Sequence, residues 1–186
     1  MALEVASFIS DLNASNPAAS DYISEADDHM RLIKFAIKNT FPGSDHALAV
    51  GIAFAAVGSG ATTVSNDTTT QITFGTEKYD THSAFASHAF TAPITGIYHF
   101  DALVTFVTDA FAGTGPSLVG LFVDGVEARR GSFYFNDTAD EHHALTISTD
   151  LKLTAGEVVD VRVWHMYGEN LVTEPTSCYF NGHGVA

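Results

Sequence analysis

The stretch GIYHFDALVTFV, Gly96 to Val107, decides the fold. Gly96 permits the turn that opens it. Tyr98 and Phe100 stand two apart and share one face of a strand, because successive strand side chains alternate across a sheet. The same β-branched and aromatic texture extends both ways, through TTTQITF, SLVGLFVDG, HHALTISTDLKL, EVVDVRVWHMY and SCYFNGHGV, with Gly, Asp, Asn or Pro turn signals between the runs. Val159, Val161 and Val163 alternate with Asp160, Arg162 and Trp164, as in a half-buried strand. Many short strands joined by tight turns predict a sandwich or jelly roll over residues 47–186.

Upstream the sequence changes character. Residues 1–23 hold a short helical turn and then an Asn/Ser/Pro/Ala stretch that reads as irregular. SEADDHMRLIKFAIKNTFPG, Ser24 to Gly43, predicts a helix over about 25–40. Ser24 is its expected N-cap with Asp27 in the capping-box position, and Pro42 and Gly43 end it. Asp27 and Arg31 form an i,i+4 pair. Ala26, Met30, Ile33 and Ile37 make an apolar stripe, while Leu32, Phe35 and Ala36 add apolar surface beside it. A helix apolar on several sides needs several neighbours, so residues 1–46 read as an anchor. Its expected contacts are Tyr22, Met30, Leu32, Ile33, Phe35, Ile37 and Phe41.

Composition narrows the class. Of 186 residues, 46% are hydrophobic and 16% charged, with 14 Phe, which supports a sizeable core and some apolar burial between subunits. Eight basic residues against 22 acidic ones give a net charge of −14, so phosphate backbones and anionic lipid repel the chain and no nucleic-acid partner is expected. Cys178 is the single cysteine, read as core, and the chain is expected to fold in a reducing cytoplasm. The N-terminus lacks a basic start and a long apolar run, so no signal peptide is expected. ALAVGIAFAAVG, Ala47 to Gly58, is too short to span a bilayer, and no membrane insertion is expected.

The spaced aromatics carry a resemblance. IAFAAV places Phe54 in a first strand. FGTEKYDTHSAF supplies Phe74, Asp80 and Phe85, and FTAPITGIYHF supplies Phe90, Gly96, Tyr98 and Phe100. VGLFVDGVEARRG follows as a middle hairpin, LKLTAGEVVDVRV as a strand entry, and YFNGHGV supplies Phe180 and Gly182. This pattern resembles the globular head of the complement C-one-q and tumour-necrosis-factor superfamily. It departs in a shorter gap between Phe85 and Phe90 and in Ala102, which replaces the last aromatic. The resemblance implies a mainly β, ten-stranded jelly roll that forms a homotrimer about a three-fold axis, partly through aromatic side chains. The ten signature residues, from Phe54 to Gly182, are then the expected trimer core. NPAASDYISEADDHMRLIKFAIKNTFPG, from Asn16, resembles an N-terminal pattern of structural and tail-fibre-like proteins of bacterial viruses.

Other polar clusters have plainer explanations. Asp27, Asp28 and His29 are consecutive on a helix, diverge by about 100° each and cannot converge on one ion. Asp140, Glu141, His142 and His143 read as a solvated loop. His82, His88, His99, His165 and His183 are scattered strand or loop positions. Some jelly-roll relatives bind calcium near the trimer axis, which brings Asp80, Asp101, Asp109 and Asp124 into view, but no loop is ligand-dense and no metal is assigned. No nucleophile, zinc or phosphate-loop motif is present, so neither an enzyme nor a cofactor is expected. The expected protein is a tailed-bacteriophage structural protein, a trimeric tail fibre, spike or capsid decoration, made in the host cytoplasm and residing in the virion. Its expected partners are its own copies and other virion proteins. A second expectation is a host-attachment adhesin that binds surface carbohydrate, with Tyr134, Phe135, Trp164 and Tyr167 as stacking candidates.

Overall fold

The computed structural model describes residues 5–16, 22, 26–41, 51–107, 115–136 and 144–185, apart from the side chains of 135 and 136. The chain falls into two units, Met1–His46 and Ala47–Ala186. Ser24, Pro42, Gly43, Asp109 and the cluster at 140–143 lie outside the described residues.

In the first unit, helix α1 (Ala26–Thr40) packs against a 3-10 turn at Ile9–Asp11. Its apolar stripe does not supply the packed side. His29 and Ala36 are the buried positions, and Leu32, Asn39 and Thr40 are half-buried. The reason is polar. The Ile9 N–H donates to Thr40 Oγ1 (2.8 Å), and Asn39 Nδ2 donates to the Ser7 carbonyl (3.2 Å), which turns this side toward the N-terminal segment. Arg31 pairs with Asp27 at 2.8 Å and with Asp28 at 3.1 Å, so all three are engaged along the helix surface.

The second unit is two facing sheets. The first has the order β10 (Ala144–Leu153), β7 (Gly96–Thr105), β13 (Tyr179–Gly184), β1 (Ala53–Val57), β4 (Thr76–Asp80). The second has the order β5 (Phe85–Ala86), β6 (Ala89–Thr91), β11 (Val158–His165), β8 (Gly115–Val123), β9 (Val126–Asn136). Five strands on each path give the ten of the expected jelly roll. β3 (Thr70–Gln71) beside β11, and a ribbon of β2 (Thr63–Val64) with β12 (Leu171–Val172), are additions. Every described strand pair is antiparallel.

Alternation places the core. β7 buries Tyr98, Phe100, Ala102 and Val104, and β11 buries Val159, Val161 and Val163 on the facing layer. Val126 follows a two-residue turn in which Asp124 (φ 49°) and Gly125 (φ 81°) both take left-handed backbone, the geometry that suits a tight hairpin. Cys178 is buried and accepts from the Thr105 N–H at 3.4 Å, and burial raises its thiol pKa. No helix among the described residues is long and apolar enough to cross a membrane.

Candidate functional site

The signature aromatics meet inside one chain. Phe54 stacks on Phe85 (4.9 Å between ring centres) and Phe90 (5.1 Å), and meets Phe180 edge-on at 5.0 Å. Phe74 lies 5.7 Å from Phe180, and Phe90 touches Tyr98 and Phe100 at 5.3 and 5.4 Å. All seven rings are buried within a single copy. Gly182 belongs to the same cluster: a Cβ there would sit 2.6 Å from Phe54 and 2.7 Å from Phe100. The Tyr98 hydroxyl donates to the Ile94 carbonyl at 2.6 Å. Asp80 Oδ2 accepts from the Phe85 N–H at 2.7 Å and Oδ1 from the His82 N–H at 3.1 Å. Burial opposes charge on Asp80, but these N–H donors, with that of Ala84, outweigh it and lower its pKa. Gly96 only begins β7. These rings pack against one another in the interior of the single chain, and the expectation that they form a trimer core is carried no further than that packing.

Two outward faces remain. On the first sheet, β1, β13 and β7 present Ala53, Ala55, Val57, Tyr179 and Leu103, with Tyr79 of β4 exposed beside Ala55. Within this face His99 Nδ1 lies 2.6 Å from Asp150, and Nε2 lies 3.2 Å from Asp101. The His183 ring is 5.3 Å away. The Asp150 hydrogen bond, reinforced by Asp101 and opposed by burial, raises the pKa of His99. Asp101 is thus engaged by His99, and Asp124 Oδ1 accepts from the Val158 N–H at 3.0 Å. No group of three or more metal-binding side chains comes together among the described residues.

The second sheet carries a groove of about 450 Å³ on its outer face. Strand register builds it as rows across β11, β8 and β9. Trp164, Leu118 and Phe133 form one row, and Arg162, Gly120 and Arg130 the next. Asp160, Phe122 and Glu127 form the third. Gly120 has no side chain, and the Phe122 ring leans over it, 3.3 Å from where a Cβ would sit, so the hollow is lined by Leu118, Phe122, Glu127, Arg130, Phe133, Arg162 and Trp164 with Thr69. Arg162 Nε and Nη2 reach Asp160 at 2.6 and 2.8 Å, and the guanidinium lies 4.7 Å from the centre of the Phe122 ring. The Asp160 hydrogen bond raises the pKa of Arg162 against a smaller opposing effect of burial. Arg130 Nε donates to Glu127 at 2.5 Å. Trp164 Nε1 donates to Asp67 at 3.0 Å, which fixes the indole.

Of the four expected stacking aromatics, Trp164 alone lines this groove. Tyr167 is buried with its hydroxyl on Ser117 Oγ at 3.0 Å, Tyr134 packs on the core, and the Phe135 side chain is outside the described residues. Phe133, 65% exposed, is the aromatic that sequence reasoning missed. A β-bulge hides it: two steps along β8, Leu118 to Gly120, match three along β9, Phe133 to Arg130. The extra residue reverses the alternation beyond it.

The residues expected to anchor the chain form no closed site among the described residues. Tyr22 is 74% exposed, Phe35 53%, Met30 56% and Phe41 42%, with Ile33 and Ile37 similar and Leu32 half-buried.

The head has solved counterparts. The globular domain of zebrafish complement 1qA aligns with a TM-score of 0.51 at 17% identity, over 73% of this chain and 98% of that one. Eiger TNF from S. frugiperda aligns at 0.53 and 14%, over 73% and 92%. Murine APRIL aligns at 0.51 and 14%, over 72% and 98%. The head thus shares the jelly-roll fold of these solved domains. No protein-family model matches the sequence, and no curated protein is significantly similar to it.

Proposed function

We propose that the chain is a structural protein of a tailed bacteriophage particle: a homotrimeric fibre, spike or capsid decoration that docks through residues 1–46 and exposes its jelly-roll head. One observation carries the reading. Met30, Ile33, Phe35 and Ile37 are all more than 40% exposed on a 15-residue helix, and no described residue of the first unit covers them. Exposed apolar surface of this kind is a contact surface awaiting a partner. The N-terminal pattern shared with virion proteins supplies the kind of partner. Deleting residues 1–46 should leave a soluble head that no longer joins particles, scored by copy number on purified virions. Normal incorporation of the truncated protein would sink the anchor.

The trimer would form through the first sheet's outward face. Ala53, Ala55, Val57, Leu103 and Tyr179 give it an apolar patch. A second reading, a trimeric adhesin for host-surface glycan, is favoured by the groove beside Trp164 and Phe133 on the opposite sheet. The two readings are compatible, since an attachment protein has both an anchor and a recognition face.

A further inference from the structure

We infer that the groove on the outer face of β11, β8 and β9, between Trp164, Phe133 and Arg130, is a binding site for a neutral, hydroxyl-rich saccharide, such as a hexose unit of an oligosaccharide. The occupant rests on the adhesin reading; the place and the chemical class come from the geometry.

The charges decide the class. The chain has eight basic residues against 22 acidic ones, yet two arginines, in register with Gly120 on either side, line this groove. Neither is a naked cation. Arg162 is held in two hydrogen bonds by Asp160, and Arg130 is held by Glu127. A free anion entering here would meet guanidiniums already neutralised by Asp160 and Glu127, and a purely apolar ligand would strip water from the open Arg130–Glu127 pair. A sugar hydroxyl suits the Arg130–Glu127 pair, both of whose members line the groove, because it donates to the carboxylate and accepts from an N–H that the carboxylate leaves over. Arg162, whose Asp160 partner is buried behind it, offers a neighbouring hydroxyl only N–H donors.

The walls supply the other half of saccharide recognition. A hexose ring has an apolar C–H face beside its hydroxyl edge, and that face packs on aromatic surface. Trp164 and Phe133 stand on either side of Leu118 at one end of the hollow, and Phe122 lies at the other. Most of this site is preset. Asp67 holds the indole of Trp164, and Asp160 with Phe122 holds the guanidinium of Arg162, so little side-chain freedom is lost on binding. The volume, about 450 Å³, lies in the range of small-molecule sites. The groove is on the sheet opposite the proposed trimer face. Three copies would therefore display three open sites and bind a repeating polysaccharide with avidity.

The test uses the full chain. Titration calorimetry and immobilised panels would compare neutral gluco-, galacto- and manno-oligosaccharides with uronic-acid and sialylated ones. Binding to neutral members is expected, weakened about tenfold or more, a loss of about 1.4 kcal/mol, by Trp164→Ala and by Phe133→Ala. Tyr79→Ala, on the other sheet, should leave the per-site affinity unchanged. Phe133 is 65% exposed, so its removal leaves the fold intact even if Trp164→Ala weakens it. Neutral binding that survives both groove substitutions would overturn this location and leave the adhesin reading standing. Binding confined to acidic members would overturn the neutral class. Binding to neither panel would overturn both readings together.

Discussion

At the scale of single residues, Gly182 and His99 show how closely the head is specified. Gly182 is where two phenylalanine rings lie against the backbone of β13, and a methyl group there would intrude to 2.6 Å. Gly182→Ala should destabilise the head by about 1–3 kcal/mol in chemical denaturation, the usual cost of overpacking. Gly60→Ala, where nothing lies within 4 Å, should change little. Phe54→Ala empties the centre of the ring cluster and should cost about 3–5 kcal/mol. His99 binds its proton more tightly folded than unfolded, because Asp150 and Asp101 hold the imidazolium. Its contribution is therefore complete below about pH 6.5 and is lost as pH rises through the raised value. The stability gap between wild type and His99→Gln should be widest in mild acid and should close in alkali. An unchanging gap would show that the two carboxylates do not act through its charge. His165 works oppositely. It is buried, its Nε2–H donates to the Val64 carbonyl at 2.9 Å, and burial lowers its pKa. Its contribution is complete above about pH 6.5 and is lost as pH falls through the depressed value.

At the scale of elements, β7 and α1 teach different lessons about reading a sequence. In β7 the two-residue alternation of Tyr98, Phe100, Ala102 and Val104 is a local property, visible without any neighbour, and the strand buries those positions. The aromatic spacings were equally legible, but not whether the rings would be spent within one chain or between chains. That depends on which sheet covers them. The groove was hidden by an element-scale event, the bulge in β9, which brings Phe133 and Arg130 to one face although they are three apart. In α1 the apolar stripe was visible, yet hydrogen bonds at Asn39 and Thr40 decide which side the N-terminal segment covers. Ile33→Ser with Ile37→Ser, both at exposed positions, should leave thermal unfolding within about 0.5 kcal/mol of wild type. The same pair should lower the number of copies on purified particles. A large loss of stability with normal copy number would make the stripe structural rather than adhesive.

At the scale of the whole molecule, the two faces of the sandwich differ in chemistry. The first sheet's outer face has apolar residues around a histidine–carboxylate group, and the second is hollowed and polar–aromatic. Light scattering or sedimentation at micromolar concentration should return three times the chain mass, and replacing Ala55 and Leu103 with Glu should reduce it to one. A wild-type monomer under these conditions would remove the trimer. Because Asp150 and Asp101 surround His99 on the trimer face, assembly should also tighten in mild acid, where the imidazolium offsets the carboxylates of neighbouring copies. Mass measured across pH would show this, and an assembly indifferent to pH would place His99 away from the contact.

The chain contains one tryptophan, and it stands in the wall of the groove with its ring N–H tied to Asp67. The molecule therefore carries its own optical reporter. Emission excited selectively in the indole comes from Trp164 alone, with no label and no background from a second site. A sugar ring laid against that indole would displace water and shift its emission toward the blue, while rupture of the Asp67 bond would move it back. Occupancy of a single hollow could then be followed in real time on intact protein.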